Sequence, residues 1–156
     1  CGSAVAAASN GMTLWCWCRP RVIVVDSNVI AYCWINGEQT ALAHQLRQLD
    51  PDWHAPVLWR SELRSVLTGY RRDGSLDESQ VREIMAAAEA AFAGREHYLP
   101  GDRVFAVTEA SRLSACDAEF VALAEILGAP LVTADRAVLT AFSGALTVAD
   151  ALESLG

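Results

Sequence analysis

Runs of apolar residues alternate with stretches of helical periodicity along most of this chain. The β-branched run over residues 22–25 predicts a buried strand, and the run over 131–133 predicts a second one. Shorter segments at 53–55, 97–99 and 146–148 extend the same pattern. Helical spacing of apolar positions predicts helices at 28–34, 38–49, 56–72, 77–93, 102–111, 115–127 and 135–142. Repeated strand–helix units predict an α/β fold whose parallel sheet is covered by helices on both faces.

Residues 1–21 do not share this pattern. They combine small residues over 4–9 with a turn-like Ser9-Asn10-Gly11 and an apolar Trp15-Cys16-Trp17-Cys18. A secretory signal needs a basic start and a longer apolar centre, and this segment has neither. We therefore interpret residues 1–21 as an N-terminal extension that is poorly ordered unless it docks, and residues 22–156 as the folded domain.

Composition and charge narrow the class of protein. A chain of 156 residues that is 53% hydrophobic and 20% charged suits one domain with a sizeable core. No apolar stretch reaches the roughly 18 residues that span a membrane, so we expect no membrane partner. The formal net charge of −7 argues against non-specific, charge-driven binding of nucleic acid. It is compatible with a metal-dependent nuclease, because bound cations offset part of the negative charge.

The basic and sulfur-containing residues exclude further classes. All twelve basic residues are arginine, and the absence of lysine excludes P-loop NTPases, Schiff-base enzymes and response-regulator receivers. The five cysteines are irregularly spaced, which is typical of reduced thiols and favours a cytoplasmic location. Cys16 and Cys18 lack a second cysteine pair, so the sequence gives little support to a zinc site there.

Four acidic residues lie where apolar, structured segments end or turn, namely Asp26, Glu62, Asp117 and Asp135. Asp26 and Asp135 each follow a predicted strand, and ligands of open parallel sheets bind beyond such strand ends. Both aspartates could also act simply as helix N-caps. Carboxylates gathered at one point repel one another unless a hard divalent cation joins them. The set therefore predicts a Mg²⁺ or Mn²⁺ site.

Glu62 is distinguished by its helical phase. It lies three residues after Trp59 and four before Val66, so it flanks an apolar stripe rather than the solvent face. That stripe comprises Trp59, Leu63, Val66, Leu67 and Tyr70. An unpaired charge is costly to bury, so Glu62 needs a partner there. The alternatives are Arg60, Arg64 and a metal ion.

Asp117 has two readings as well. Ser114 followed three residues later by an acid matches a capping box, although aspartate fits that role less well than glutamate. Asp117 also precedes Phe120 by three residues and so lies near the inward face of the helix it opens. We expect Glu119 and Glu125 to point elsewhere and to be solvated.

The acidic residues occur within four short blocks of sequence. These are Val24-Val25-Asp26-Ser27-Asn28-Val29-Ile30, Ser61-Glu62-Leu63, residues 114–124, and Leu131-Val132-Thr133-Ala134-Asp135-Arg136. In this order and spacing they resemble PIN-domain ribonucleases, most of all the VapC toxins of bacterial toxin–antitoxin pairs. The resemblance covers about residues 22–150. Its third and fourth blocks together are quite specific, whereas the first alone would be weak.

The resemblance implies a three-layer α/β/α sandwich around a central, mainly parallel sheet. It also implies an endoribonuclease that hydrolyses RNA with Mg²⁺ or Mn²⁺. The family's acidic quartet, which binds the metal and performs catalysis, corresponds to Asp26, Glu62, Asp117 and Asp135. Its supporting polar positions correspond to Ser27, Asn28 and Thr133. The family further implies a homodimer and an inhibitory antitoxin whose tail occupies the acidic groove.

The chain departs from the family pattern at two places. Cys116 stands where an aromatic residue is usual, which should alter packing beside Asp117 more than chemistry. The extension over residues 1–21 precedes the first strand, where the family normally starts.

The expected mechanism assigns most of the chemistry to the metal. Asp26, Asp117 and Asp135 would hold one or two ions, with Glu62 binding directly or through water. The ion would activate a water molecule and neutralise charge on the scissile phosphate. Nearby basic residues either hold RNA phosphates or form a solvated helix face, and they are Arg60, Arg64, Arg71 and Arg72. The scattered histidines are interpreted as structural or surface residues, and they are His44, His54 and His97.

Two other functions remain open from the residues. A metal-dependent phosphatase of the haloacid dehalogenase type also places an aspartate after its first strand. That class needs a second aspartate where this chain has Asn28, and it needs a lysine. The other alternative is a non-catalytic PIN-like binding module, which an intact acidic quartet disfavours.

Overall fold

A sheet of parallel strands forms the centre of the computed structural model, which describes residues 22–155. The strands are β1 (Ile23–Val25), β2 (Trp53–Pro56), β3 (Glu96–His97), β4 (Leu131–Val132) and β5 (Ala145–Leu146). Their order across the sheet is β3-β2-β1-β4-β5, and every neighbouring pair is parallel. Val24 on β1 lies opposite His54 on one side and Leu131 on the other. The carboxyl ends of all these strands therefore meet at one edge of the sheet.

Helices flank the sheet. They are α1 (Ser27–Trp34), α2 (Thr40–Leu49), α3 (Trp59–Arg72), α4 (Glu78–Ala91), α5 (Gly101–Ala110), α6 (Ala115–Leu127), α7 (Arg136–Ala141) and α8 (Val148–Leu155). Helix α6 packs on β1, β2 and β4, while α3 packs on α1 and α4. The predicted α/β fold with a parallel central sheet is confirmed. None of the helices in the described part of the chain has the length and apolar character that a bilayer crossing requires.

The middle of the sheet and the start of α3 form the core. Val24 and Val25 are completely buried, as a strand covered on both faces requires. Trp59, at the first position of α3, is also fully buried and packs on Phe92 with ring centroids 4.9 Å apart. Aromatic pairs of this kind contribute about 0.5–1.5 kcal/mol beyond their buried area. Glu62 lies one turn further along α3, so this packing fixes where its carboxylate can reach.

Polar residues at the helix starts explain several boundaries. Asp26, Ser114 and Asp135 are the N-caps of α1, α6 and α7, and each side chain accepts a bond from a backbone N–H of the first turn. Gly128 ends α6 in the left-handed region, with φ of 60°. Capping thus places two of the acidic candidates, Asp26 and Asp135, at the carboxyl edge of the sheet. It places a third candidate, Asp117, there through its partner Ser114.

The structure differs from the predicted elements at two places. Pro56 ends β2 instead of opening α3, which begins at Trp59. The N–H groups of Ala55 and Val57 donate to the carbonyl oxygens of Arg95 and His97, so a proline between them costs that ladder no hydrogen bond. Helix α8 was not predicted, although Thr147 and Asp150 exchange capping bonds at its start. The N-terminal extension, with Cys16 and Cys18, lies outside the described residues.

Candidate functional site

Asp26 lies at the carboxyl end of β1, and both of its oxygens accept hydrogen bonds. Oδ1 accepts the backbone N–H of Ser27 at 2.6 Å. Oδ2 accepts the hydroxyl of Thr133 at 2.6 Å and the amide of Asn28 at 3.0 Å. Thr133 comes from the end of β4, which pairs with β1. Strand pairing therefore brings together two residues that are 107 positions apart in the chain.

Ser27 connects Asp26 to Glu62. Its side chain is buried, and its hydroxyl donates to Oε2 of Glu62. Ser27 opens α1 and Glu62 lies in the first turn of α3, so this bond joins two helices that follow different strands. Glu62 is half-buried beside the buried face of α3, which consists of Trp59, Leu63 and Leu67. Val66 and Tyr70, which the predicted stripe also included, are exposed.

The segment after β4 completes this chain of hydrogen bonds. Thr133 is fully buried, and its hydroxyl oxygen accepts the backbone N–H of Asp135 at 3.0 Å. Asn28 accepts the backbone N–H of Ala134 at 3.2 Å through its side-chain oxygen. Asp135 itself uses Oδ1 to cap α7, at 2.7 Å from the N–H of Ala137. The capping interpretation of Asp135 is therefore correct for one oxygen and says nothing against a second role for the other.

Asp117 approaches the same region from α6. Its backbone N–H donates to the Ser114 hydroxyl at 3.1 Å, and that hydroxyl donates to Oδ2 of Asp117 at 2.6 Å. The reciprocal bond of a full capping box is replaced by this side-chain bond. Asp117 forms no hydrogen bond to Asp26 or Glu62, but its charge acts on both of them. We call Asp26, Glu62, Asp117 and Asp135 the acidic site.

The electrostatics of the acidic site are those of gathered negative charge. Burial raises the pKa of Asp26 above its ordinary value of 3.8, and the charges of Asp117 and Asp135 add to the rise. Burial likewise raises the pKa of Glu62 above 4.5, with further increases from Asp26 and Asp117. The hydrogen bonds from Thr133 and Ser27 oppose these shifts without reversing them. Each group therefore holds its charge less readily than an isolated carboxyl.

No arginine compensates this charge within residues 22–155. The Arg60 guanidinium lies against Glu96 and Glu89, and Arg64 lies 3.8 Å from Glu89. Neither arginine pairs with Glu62, and its hydrogen-bond partner among the described residues is the Ser27 hydroxyl, which was not among the partners considered from the sequence. Arg60 is also engaged too fully by carboxylates to be a free contact for RNA phosphates, contrary to one of the two interpretations of that basic stretch.

The donor set of the acidic site suits a hard divalent cation. It consists of carboxylate and hydroxyl oxygens, the ligands that Mg²⁺ and Mn²⁺ prefer. As the side chains stand, no three of the histidine, cysteine and acidic groups in the described part of the chain converge to metal-ligand distance. Asp26 and Asp117 are instead turned towards hydroxyl partners, Thr133 and Ser114. The oxygen atoms of these residues are suitable ligands for a divalent cation, but their side chains do not point at one common position.

Glu119 is an acidic neighbour that the sequence interpretation missed. It was expected to be solvated, but it is half-buried, and burial raises its pKa above 4.5. Its charge also raises the pKa of Glu62. Nearly every residue from Ala118 to Ala124 is buried, so this turn of α6 has little solvent face for a glutamate to occupy. That apolar run was the signal that Glu119 would not point freely into water.

The histidines take part in contacts away from the acidic site. His54 and His97 meet across β2 and β3, with Nδ1 of the first 2.7 Å from Nε2 of the second. His44 contacts the carbonyl oxygen of Cys33 at 2.7 Å through Nε2. Their interpretation as structural residues agrees with these contacts.

Comparison with known protein families agrees with the observed fold. The family model described as PIN domain matches residues 23–142. The chain belongs to the PIN-domain family. Nuclease activity that depends on divalent metal ions is general among PIN domains. A search of curated proteins finds no relative of this one.

A solved structure supports the fold of this PIN domain independently. The crystal structure of PAE2754 from Pyrobaculum aerophilum superposes with a TM-score of 0.71 and 23% sequence identity. The match covers 87% of this chain and 90% of the other. At that identity the likeness concerns the fold alone.

Proposed function

We propose that this PIN domain is an endoribonuclease that hydrolyses RNA phosphodiester bonds with the help of Mg²⁺ or Mn²⁺. The observation that carries the proposal is the uncompensated charge of the acidic site. Asp26, Glu62, Asp117 and Asp135 come from four separate parts of the chain, and none of them pairs with an arginine of the described residues. Such a cluster is stable in a folded protein when cations share it.

The residues would divide the work as follows. Asp26, Asp117 and Asp135 supply oxygen ligands, and Glu62 binds the ion directly or through water. When bound, the ion lowers the pKa of a water molecule and neutralises charge developing on the scissile phosphate. Ser27 orients Glu62, and Thr133 orients Asp26, each through the hydroxyl bond described above. These outer contacts matter because losing one typically costs a metal site about 10- to 100-fold in affinity or activity.

The biological role we propose is that of the toxin in a toxin–antitoxin pair, acting in the cytoplasm. The motif blocks around Asp26, Glu62, Asp117 and Asp135 support it through their likeness to VapC toxins. On the same basis we propose a homodimer, and an antitoxin partner whose tail covers the acidic site. A tail of that kind would need positive charge to complement the four carboxylates.

The phosphatase alternative has no support in the site. Where a phosphatase of that type needs a second aspartate, Asn28 instead donates its amide to Asp26 and accepts the N–H of Ala134. Asn28 is thus engaged through both ends of its amide, and an amide cannot act as a general acid or base.

Replacement of Asp26 tests the proposed activity. Asp26→Asn should abolish RNA cleavage in the presence of Mg²⁺ or Mn²⁺, a loss of at least roughly 100-fold, because it removes one charged ligand from the centre of the site. The matched control is Asp102→Asn, which changes an exposed aspartate on α5 by the same one charge. Circular dichroism and thermal melting would establish that both variants are folded. Cleavage by purified Asp26→Asn at the wild-type rate, or wild-type cleavage that survives EDTA, would refute the proposal.

A further inference from the structure

A cavity of about 420 Å³ adjoins the acidic site on the β4 side. Its wall includes Thr133, whose hydroxyl holds Asp26, and the neighbouring Ala134. The remaining wall comes from α1, α7, the start of α8, and α2 together with its N-cap residue Gln39. Because Thr133 belongs to both the cavity and the hydrogen-bond chain of the site, a ligand here would lie directly beside a phosphate being cleaved.

Arg136 gives this cavity a positive charge. It lines the cavity, its side chain is exposed, and it directly follows Asp135 in the chain. Five of the ten arginines within residues 22–155 lie against a carboxylate, and Arg136 is one of the five that have no acidic partner within 4 Å in this part of the chain. The other residues of the wall are uncharged. The cavity is thus a place where the net charge near the acidic site changes sign.

A second cavity, which shares Tyr32 and Gln39 with the first, has the reverse character on its far wall. Its volume is about 410 Å³, and Asn28 lies at its edge. It carries the acidic Glu38 and the partly exposed apolar side chains of Val66 and Tyr70. A polyanion would avoid that side and favour the side that presents Arg136.

We propose that the cavity beside Arg136 binds a nucleotide of single-stranded RNA next to the scissile phosphate. The inference rests on the proposed nuclease function and specifies how its substrate is held. Arg136 contacts the phosphate of the bound nucleotide, and the base packs against the side chains of Tyr32 and Leu139. Gln39, which makes no side-chain capping bond to α2, offers its amide to the edge of the base.

The chemistry of the wall explains the preference for a single strand. An aromatic ring can stack on a base, and an amide can read its edge, only when that base is unpaired and turned out of a duplex. A cavity of this volume is within the range of roughly 300–1,000 Å³ typical of small-molecule sites. A duplex would present phosphates to Arg136 but could not fill the space behind it.

The test measures RNA binding separately from cleavage. The parent protein carries Asp26→Asn, so that the probe survives, and the probe is a fluorescein-labelled single-stranded RNA of mixed sequence and roughly 12 nucleotides. Fluorescence anisotropy in MgCl₂ gives the dissociation constant at NaCl concentrations from about 50 to 300 mM. Adding Arg136→Gln should weaken binding about 5- to 10-fold at the lowest salt. The slope of log K against log[NaCl] should fall by about 0.7, as expected for one lost phosphate contact on a single strand.

Two further variants separate the cavity from a general effect of charge. Arg103→Gln removes an exposed arginine of α5 that lies outside the cavity and pairs with no acid among residues 22–155, and it should leave affinity and slope unchanged. Ala149→Trp fills the cavity from an exposed wall position, and should weaken binding without changing the slope. The same RNA annealed into a duplex should bind the parent more weakly than the single strand.

The outcomes distinguish the two proposals. If the parent binds RNA and both Arg136→Gln and Ala149→Trp stay within about twofold of it, the cavity assignment is wrong and the nuclease proposal stands. If a cavity variant loses affinity while Asp26→Asn still cleaves RNA, the binding site is right and the catalytic assignment is wrong. A parent that binds neither single-stranded nor duplex RNA overturns both.

Discussion

This molecule contains two neighbouring groups of carboxylates whose pKa values are shifted in opposite directions. One is the acidic site, where burial and mutual repulsion raise the pKa of Asp26 and of Glu62. The other lies towards the β3 edge of the sheet, where bonds from Arg60 lower the pKa of Glu96. Both groups are carboxylates, and the difference comes first from the deeper burial of Asp26 and Glu62, and then from whether the fold supplies a cation.

The second group is built around the Arg60 guanidinium. Its Nε and Nη2 atoms donate to the two oxygens of Glu96 at 2.5 and 2.8 Å, and its Nη1 donates to Glu89. The indole N–H of Trp59 also donates to Glu96, at 2.8 Å. We call these four residues the Arg60 network. It ties the start of α3 to β3 and α4 through charge-assisted hydrogen bonds.

One turn of helix α3 carries a residue from each group, namely Arg60 of the Arg60 network and Glu62 of the acidic site. Arg60 and Glu62 are two positions apart, and residues at that spacing point to different sides of a helix. The fold therefore holds an arginine beside the acidic site and directs it away. A carboxylate cluster that keeps its charge at a cost in stability, with a cation available nearby, is characteristic of a site that binds an external cation.

Isosteric replacements in the two groups should have opposite effects on stability. Glu96→Gln removes the charge that Arg60 and Trp59 share, and should lower the free energy of unfolding by about 1–2 kcal/mol. Glu62→Gln keeps an oxygen for Ser27 but removes a repelling charge, so it should be neutral within about 0.5 kcal/mol or stabilising. Urea denaturation at neutral pH in EDTA would measure both. A larger loss for Glu62→Gln than for Glu96→Gln would contradict the comparison.

The pH dependence of stability should separate the groups next. With its pKa raised on folding, metal-free Asp26 binds protons more readily in the folded state, so it reduces stability as pH rises above 3.8. Asp52 and Glu96, whose pKa values are lowered by arginine, lose their contribution as pH falls below 3.8 and 4.5. Any advantage of Asp26→Asn over the wild type should therefore shrink as the pH is lowered from neutral.

Unfolding curves in EDTA between about pH 3 and pH 7 would measure this trend. The trend, rather than the offset at one pH, carries the prediction, because asparagine also changes the hydrogen bonds to Ser27 and Thr133. If Asp26→Asn instead gained stability relative to the wild type as the pH was lowered, burial and repulsion would not act on Asp26 as described.

The smallest expected effect concerns a paired charge that is well exposed. Arg95 donates to Asp52 at 2.8 Å, but its side chain is 39% accessible to solvent. Arg95→Gln should therefore lower the free energy of unfolding by less than about 0.5 kcal/mol, and about 0.5 M NaCl should reduce that loss further. The matched comparison is Glu96→Gln, whose loss should persist in salt. Equal salt sensitivity for the two variants would mean that the Arg60 network is no better shielded than a surface pair.

The sequence predicted those parts of the fold that depend on local patterns. Val22–Val25 reads as a buried strand, and Glu62 flanks the apolar stripe of its helix, because periodicity records burial directly. Helix α8 was missed because the helix is short and because its capping pair, Thr147 and Asp150, follows a weak strand. Pro56 was predicted to open a helix. Strand β2 tolerates a proline there because its ladder uses the N–H groups of the two neighbouring residues, and the sequence alone does not show which N–H groups a ladder uses.

Pairings between distant residues could not be predicted in the same way. Arg60 was a candidate partner for Glu62, two positions away, but it pairs with Glu89 and Glu96, 29 and 36 positions away. The contact of Thr133 with Asp26 depends on the pairing of β4 with β1. The sequence predicted a parallel sheet but not the order of its strands. Local patterns place a side chain on a face, whereas the order of the strands decides what that face meets.

The bond between Thr133 and Asp26 also has a meaning for how the protein is made. A ribosome releases Asp26 and Glu62 early, and the strand that bears Thr133 emerges 107 residues after Asp26. Until β4 pairs with β1, Asp26 lacks its buried hydroxyl partner, and Asp135 is not beside it. The acidic site is thus completed only after β4 and the residues that follow it have emerged and paired with β1. Before that point a nascent chain, still attached to its own messenger RNA, carries Asp26 and Glu62 without the arrangement that unites the four carboxylates.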